Sequence, residues 1–198
     1  MKNIVFASNN KGKIAEVKAI LGEAFNILSM KEAGLVLDID ESGATFEDNA
    51  YLKAKGVYDA LQGTEYAAAG IISDDSGLVV EALGGAPGVY SAMYAKYGDD
   101  EANNKKLLDN MCEIANRAAK FVCVACYIDA DGFTEYFYGE THGMILKKGE
   151  GNNGFGYDSL FFSHELQKTF GQAGGTEKNL ISHRGKAFGK LIKYLILR

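Results

Sequence analysis

Segments with strand periodicity alternate with segments of helical periodicity along the chain, and this alternation constrains the fold more than any other feature of the sequence. Asp131-Gly132 predicts a hairpin between two of the strands. Helices that alternate with strands, together with one antiparallel hairpin, predict an α/β protein with a mixed sheet. The predicted strands are residues 2–7, 26–39 as one or two short pieces, 66–73, 120–129, 133–142 and 160–162. The predicted helices are residues 12–21, 45–61, 99–119 and a terminal segment from residue 183.

Length and composition limit the classes of function. At 198 residues the chain suits one large domain or two fused lobes, and its 47% hydrophobic and 24% charged residues are typical of a globular protein. The net charge of −5 disfavours a nucleic-acid partner, so any bound anion must meet a local group of cations. No apolar run approaches the roughly 18–20 residues of a membrane span, and none is typical of a signal peptide. This predicts a soluble cytoplasmic protein with no membrane partner.

The first predicted strand is followed by a polar junction, residues 8–13, with the sequence Ser-Asn-Asn-Lys-Gly-Lys. A helix N-terminus presents unpaired N–H groups and the positive end of its dipole, and both attract phosphate. Lys11 and Lys13 add two cations there. The spacing of a Walker P-loop is missing, so a polar turn with solvated lysines is the alternative interpretation.

Two consecutive carboxylates, Asp74 and Asp75, follow the predicted strand 66–73. Adjacent residues of a strand point to opposite faces, so these carboxylates converge only if the strand ends before them. The carboxyl ends of strands line the ligand crevices of α/β proteins, and Mg²⁺ takes one or two protein carboxylates together with phosphate oxygens. Glu41, beside Asp40, is a further candidate ligand. The alternatives are an Asx turn at the strand end and solvated acidic side chains.

The third junction opens the terminal helix. Ser182 is a predicted N-cap, which places His183 and Arg184 in the first helical turn. Cations oppose the helix dipole there by about a few tenths of a kcal/mol, so an anion or a polar base edge in front of them would explain their position. The alternative is that both side chains face solvent. Residues 155–158, Phe-Gly-Tyr-Asp, add aromatic rings that could stack on a base or belong to a core.

The three junctions together hold the groups that a metal-bound nucleoside triphosphate needs: cations for phosphate, carboxylates for the metal and a ring for the base. In these and neighbouring segments the sequence resembles the inosine triphosphate pyrophosphatase family, whose members hydrolyse ITP, dITP and XTP. The resemblance covers nearly the whole chain in six ordered blocks, which are residues 6–13, 45–50 with Lys53, 73–78, 83–91, 154–158 and 177–187.

The resemblance implies a two-lobed α/β homodimer with a mixed twisted sheet, flanking helices and an active site in a central cleft, within one domain over residues 1–198. It also implies Mg²⁺-dependent hydrolysis of purine nucleoside triphosphates to the monophosphate and pyrophosphate. Asp75 resembles the family's catalytic base and metal ligand, and Glu41 resembles the second carboxylate at the metal, with Asp40 left open. The residues that resemble nucleotide-binding positions are Ser8, Asn9, Asn10, Lys11, Gly12, Lys13, Lys53, Ser76, Phe155, Gly156, Tyr157, Asp158, Lys178, His183 and Arg184.

Selectivity is expected to come from the 6-keto group of the base, read by donors such as His183 or Arg184. The chain departs from the family pattern at two places: Met93 stands where bacterial relatives commonly carry Arg, and Gly171-Gln172 replaces the usual Ala-Glu pair. Two other functions stay open. One is a related septum-inhibition type of pyrophosphatase acting on dTTP or UTP, and the other is a nucleotide-binding sensor without catalysis.

Overall fold

The computed structural model describes residues 3–197 and confirms the predicted mixed α/β fold. Lys2, assigned to the first strand from sequence, lies outside the described residues. The strands are β1 Asn3–Phe6, β2 Asn26–Ser29, β3 Gly70–Val80, β4 Ala118–Ile128, β5 Thr134–Ile145, β6 Phe161–Ser163 and β7 Lys168–Thr169. The helices are α1 Lys11–Leu21, α2 Phe46–Leu61, α3 Asp100–Asn110, α4 Gly175–Ile181 and α5 His183–Ile196.

The strands form one twisted sheet in the order β2-β1-β3-β4-β5-β6-β7. β1 pairs in parallel with β2 and β3, whereas β6 pairs antiparallel with β5 and β7. The sheet is therefore mixed, as predicted. Among the described helices, none is both long enough and apolar enough to span a bilayer.

The chain divides into two compact units. The first contains the described residues of Met1–Asp75, Cys123–Tyr138 and Lys186–Arg198, and the second contains Ser76–Val122 and Gly139–Gly185. The chain passes from the first unit to the second within β3, at the peptide bond that joins Asp75 to Ser76.

The core of the first unit is layered, because successive strand residues face opposite sides of the sheet. On one side Phe6 and Ile72 pack with Phe188 of α5 and with α1. On the other side Val5 and Ile71 pack with the small apolar face of α2. The second unit has a core formed by residues of β3, α3, β4 and β6, which include Leu78, Val80, Leu107, Phe121 and Phe161, and by Met111 at the end of α3.

The bounds of the third strand differ from those predicted from the sequence. β3 begins at Gly70 rather than at residue 66 and continues to Val80, so the prediction that it ends before Asp74 is wrong. Carboxylates are poor strand formers. The strand nevertheless continues, because apolar residues that bury in the second core, Leu78 and Val80, resume the alternation after them.

The predicted helix over residues 99–119 is also too long. α3 ends at Asn110, and Ala118 already belongs to β4. The guanidinium of Arg117 donates to the carbonyl oxygens of Met111, Ile145 and Leu146, which ties the intervening segment to the sheet instead of to a helix. β7 and α4 were not predicted, because their lengths of two and seven residues are too short for a clear periodicity.

Candidate active site

Six side chains of the first unit form what we call the acid–lysine group: Lys13, Glu41, Asn49, Lys53, Asp74 and Asp75. Lys53 is its centre. The Nζ atom of Lys53 lies 2.7 Å from Oδ1 of Asp75 and 2.7 Å from Oε2 of Glu41. Lys53 and Asp75 are buried, whereas Glu41 is exposed. Two carboxylates that are far apart in sequence therefore converge on one positive charge.

Helix α2 holds this arrangement from one of its faces. The helix begins with the predicted capping box, in which Thr45 and Asp48 exchange side-chain to backbone hydrogen bonds. Asn49 and Lys53 lie one helical turn apart and both face β3. The Asn49 amide donates to Oδ2 of Asp75 at 3.4 Å, so each carboxylate oxygen of Asp75 has a partner on α2.

The side chain of Asp74 faces the side of the sheet opposite to that of Asp75, as expected for adjacent residues of a strand. Its Oδ2 lies 3.1 Å from Nζ of Lys13 in α1, and the Asp74 side chain is fully buried. The predicted convergence of the two consecutive aspartates therefore does not occur. Asp75 pairs with α2 on one side of the sheet, and Asp74 pairs with α1 on the other.

The buried charges shift the pKa values of the central pair. Burial raises the pKa of Asp75, and the positive charges of Lys53 and Lys13 oppose this shift only in part. Burial alone would lower the pKa of Lys53, but the negative charges of Asp75, Glu41 and Asp74 together outweigh it and raise that pKa. Lys53 is therefore a permanent cation at neutral pH.

The predicted phosphate-binding segment forms the N-terminus of α1. The side-chain oxygen of Asn10 caps the helix by accepting from the N–H of Lys13 at 3.1 Å, and Oγ of Ser8 accepts from the N–H of Asn10 at 3.2 Å. Lys13 reaches Asp74 from this turn. The other predicted members of this segment are exposed or half-buried, namely Ser8, Asn9, Asn10, Lys11 and Gly12.

The second unit contains a different set, which we call the ring–cation group: Ser76, Phe121, Phe155, Asp158, Phe170, Lys178, His183 and Arg184. The Nζ atom of Lys178 lies 5.0 Å from the ring centroid of Phe155 and 5.3 Å from that of Phe170. It also lies 2.5 Å from Oδ2 of Asp158, which accepts a hydrogen bond from the N–H of Phe155. A buried ammonium is thus held by one carboxylate and two ring faces.

The two residues at the start of α5 complete the ring–cation group. Both are buried, so the alternative that they face solvent is wrong. Ser182 caps the helix as predicted, by accepting from the N–H of Gly185 at 3.0 Å. The His183 ring stacks on Phe121 with centroids 4.7 Å apart. Arg184 donates to Oγ of Ser76 at 3.2 Å and lies over the Phe155 ring.

Two of the predicted nucleotide-binding residues also hold the loop that follows β5. Tyr157 is buried, and its hydroxyl donates to the carbonyl of Ser91 at 2.8 Å. The N–H of Gly156 donates to Oδ2 of Asp100, the first residue of α3, at 2.6 Å. A side chain at position 154 would collide with the carboxylate of Asp158, so this turn requires glycine there.

The structure explains one departure from the family pattern. A Cβ atom on Gly171 would lie 2.7 Å from the carbonyl oxygen of Glu150, too close for alanine without a backbone shift. Gln172 accepts from the N–H of Thr169 and donates to the carboxylate of Glu150. Gly171-Gln172 therefore preserves an ordered loop before Lys178. Nothing in the described contacts explains Met93, which is exposed.

Three contributors to these groups, Asn49, Phe121 and Phe170, were not predicted from the sequence. Asn49 had a usable signal, because it lies four residues before Lys53 in a predicted helix. Asp74, by contrast, was predicted as one of a carboxylate pair for Mg²⁺, and its observed pairing with Lys13 depends on the fold. Phe121 lies in β4 and Phe170 follows β7, so no local sequence pattern connects their rings to the other members of the group.

The donor chemistry of the acid–lysine group fits a hard divalent cation. The oxygens of Asp75 and Glu41 already surround one positive charge, and carboxylate oxygens are preferred ligands of Mg²⁺. Within residues 3–197, no group of three or more His, Cys, Asp or Glu side chains is arranged to hold an ion. Two carboxylates suit a cation that takes its other ligands from phosphate and water.

Comparison with known proteins gives a consistent result over the whole chain. Residues 4–194 match the family model described as the Ham1 family. The dITP/XTP pyrophosphatase of Clostridium perfringens is 44% identical over 195 residues, which covers 96% of each protein. The dITP/XTP pyrophosphatase of Staphylococcus epidermidis is 45% identical and covers 98% of this chain and 97% of its own.

Solved structures agree with these sequence matches. The Staphylococcus aureus Ham1 protein has a TM-score of 0.85 and 42% identity, with 98% of both chains covered. A HAM1 protein from Coxiella burnetii has a TM-score of 0.86 and 33% identity, with full coverage of both chains.

Proposed function

The chain belongs to the Ham1 family, and on this premise we propose that it is a nucleoside triphosphate pyrophosphatase that hydrolyses ITP, dITP and XTP. The products are the nucleoside monophosphate and pyrophosphate, so the reaction removes non-standard purines from the nucleotide pool. The names of the similar curated proteins agree with the activity predicted from the sequence.

The observation that carries the proposal is the position of Lys53 between Asp75 and Glu41, with 2.7 Å to each carboxylate. A buried ion pair such as Lys53–Asp75 contributes little to stability for its size, because both charges must be desolvated. The acid–lysine group is well suited to a triphosphate substrate that arrives with a divalent cation, since it offers carboxylates for the cation and an ammonium for the phosphates.

We propose Mg²⁺ as the metal, with Asp75 and Glu41 as the carboxylates that would hold it. When bound, the ion supplies positive charge to the phosphate oxygens and offsets the charge that develops on the leaving pyrophosphate. Glu41 is preferred to Asp40 because Glu41 contacts Lys53.

The chain's own residues then have distinct roles. Water attacks the α-phosphorus, and the bond to the oxygen that bridges the α and β phosphorus atoms breaks. Asp75 orients this water and accepts its proton as the water attacks. Lys53 and Lys13 neutralise phosphate charge, and the exposed N-terminus of α1 offers N–H groups to a phosphate.

The ring–cation group is proposed to bind the base. A purine is flat, and Phe155 is half-buried, so its accessible part is available for stacking. Arg184 and His183 supply donors for a 6-keto oxygen. Adenine presents an amino group at that position and would leave a buried donor unpaired, a mismatch that can discriminate by ~10⁴–10⁵.

A pyrophosphate-release assay across a nucleotide panel tests this function. With Mg²⁺, we expect ITP, dITP and XTP to turn over at least ~10²-fold more efficiently than ATP, since a donor to the 6-keto group is mismatched by adenine. Preferred turnover of dTTP or UTP would instead support the septum-inhibition type of pyrophosphatase. Tight binding of ITP without release of pyrophosphate would support a nucleotide sensor.

Dimer formation and cytoplasmic location are further parts of the proposal. Both were implied by the resemblance or by composition, and both stay predictions. Light scattering coupled to gel filtration at micromolar concentration measures the mass in solution, and a mass near twice 21.4 kDa supports the homodimer.

A further inference from the structure

Asn49 is buried beside the proposed metal ligands but has no part in the chemistry described above. Its side chain makes two hydrogen bonds that run in different directions. The amide nitrogen donates to Oδ2 of Asp75 at 3.4 Å, and the amide oxygen accepts from the N–H of Gly43 at 2.8 Å. Gly43 lies two residues after Glu41 in the segment that precedes α2. One neutral side chain therefore connects the strand that carries Asp75 to the segment that carries Glu41.

The contact with Gly43 depends on a close approach of the backbone. A Cβ atom on Gly43 would lie 2.7 Å from Oδ1 of Asn49 and 2.6 Å from Cβ of Asp48, distances that real side chains do not adopt. The absence of a side chain at position 43 is thus a condition for the hydrogen bond. Because the same planar amide donates to Asp75, loss of the Gly43 contact also frees the Asn49 side chain to turn away from Asp75.

Lys53 makes a parallel connection one turn further along α2, but with a different consequence. Its ammonium contacts the carboxylate oxygens of Asp75 and Glu41 directly. A divalent cation would compete with that ammonium for the same oxygens, because both are positive charges. The Asn49 amide is neutral and reaches the Glu41 segment through the backbone N–H of Gly43, so it leaves the carboxylate of Glu41 open.

We propose that Asn49 is a positioning residue that fixes Asp75 and Glu41 relative to each other for a divalent cation. The inference rests on the proposed function of this group. Outer-shell partners that orient carboxylate ligands typically contribute about 10–100-fold to metal affinity. Removal of Asn49 is therefore expected to weaken metal binding while the ligands themselves remain.

The chain offers a matched control in Asn103, which is as buried as Asn49 at 2% exposure. Its side-chain oxygen accepts from the N–H groups of Ala95 and Lys96, and its amide nitrogen donates to the carbonyl of Ala92. Asn103→Ala thus removes a buried amide that joins a helix to a preceding segment, with no proposed metal ligand among its partners.

The experiment compares wild type, Asn49→Ala, Gly43→Ala and Asn103→Ala. The Mg²⁺ concentration for half-maximal ITP hydrolysis is measured at saturating ITP, and the binding of Mn²⁺ alone is measured from the loss of the free-ion paramagnetic resonance signal. We expect Asn49→Ala to raise both constants by about 10-fold or more. We expect Gly43→Ala to raise them in the same direction, and Asn103→Ala to lower the melting temperature without moving either constant.

An unchanged Mg²⁺ requirement and Mn²⁺ affinity in Asn49→Ala would overturn the inference, as would equal shifts in Asn103→Ala. No Mn²⁺ binding by the wild type would also overturn it. If the wild type binds Mn²⁺ but does not hydrolyse ITP, the proposed function fails, while the Mn²⁺ comparison between wild type and Asn49→Ala still decides the role of Asn49.

Discussion

The acid–lysine group and the ring–cation group both bury cations, but they hold them by different means. In the first group, the ammonium groups of Lys13 and Lys53 face carboxylates at 2.7–3.1 Å. In the second, Lys178 and Arg184 lie over aromatic rings, and Lys178 also contacts Asp158. A carboxylate attracts any nearby cation, so a group built on carboxylates does not select a ligand by its shape. An aromatic ring accepts only a flat group against its face, so a group built on rings does select by shape. On the proposed function, we expect the first group to determine rate and metal dependence and the second group to determine the choice of base.

A substitution at Asp75 tests the role assigned to the acid–lysine group. Asp75→Asn removes a negative charge and a proton acceptor but keeps the size of the side chain. We expect kcat for ITP to fall by ~10²–10⁴-fold, the usual contribution of general base catalysis, with the ITP to ATP preference preserved. Steady-state kinetics on both nucleotides measures this, with circular dichroism as the control for folding. Near-normal turnover would remove Asp75 from the mechanism.

The Lys13–Asp74 pair tests whether the neutralisation of a buried carboxylate by a lysine also stabilises the fold. Lys13→Met leaves a fully buried Asp74 carboxylate without this ammonium. Breaking a buried ion pair by removal of one partner costs about 3–5 kcal/mol. Because Lys13 itself is partly exposed, we expect the free energy of unfolding to fall by an amount near the lower end of that range. Urea unfolding of the two proteins gives the difference. A loss of unfolding free energy no larger than that of Lys105→Met, which breaks the exposed Lys105–Asp109 pair, would contradict this interpretation.

Arg184 tests the second half of the comparison. Arg184→Lys keeps the charge but loses the planar guanidinium that lies over Phe155 and donates to Ser76. We expect the ITP to ATP preference in kcat/KM to fall by about 10–100-fold, the equivalent of one hydrogen bond to a charged group. The Mg²⁺ requirement is expected to stay unchanged. A shifted Mg²⁺ requirement with intact selectivity would reverse the roles assigned to the two groups.

The smallest effect concerns an exposed carboxylate of the first unit. Hydrogen bonds from the backbone N–H and the hydroxyl of Ser29, together with Lys18, lower the pKa of Glu32 to about 2. Because the folded-state pKa is depressed, the stabilisation is present above the unfolded pKa near 4.5 and is lost as pH falls towards 2. Solvent screening limits it to about 0.5 kcal/mol.

Glu32→Gln provides the measurement for this last expectation. The unfolding free energies of Glu32→Gln and wild type are expected to differ near pH 6 and to converge near pH 2. A difference that grows as the pH falls would contradict the sign of the shift. This exposed pair gives the scale against which the buried Lys13–Asp74 pair can be judged.

Local patterns in the sequence were sufficient for several features. The capping box at Thr45 and the N-cap at Ser182 were predicted and are confirmed, because a cap needs residues that are only three apart. The hairpin at Asp131-Gly132 was predicted for a similar reason. The end of β3 was predicted wrongly, since the polar residues Asp74 and Asp75 resemble a strand terminus and only the core beyond them shows that the strand continues.

The mixed α/β class, the helix caps and the family could be predicted from the sequence, since these depend on neighbouring residues or on motifs read in order. The three-dimensional packing of the chain was needed to show that Asp74 and Asp75 face opposite sides of the sheet, that Lys53 joins Asp75 to Glu41, and that Lys178 contacts the rings of Phe155 and Phe170. These contacts join residues far apart along the chain. They follow from strand pairing and from how each helix face packs on the sheet, which no local pattern records.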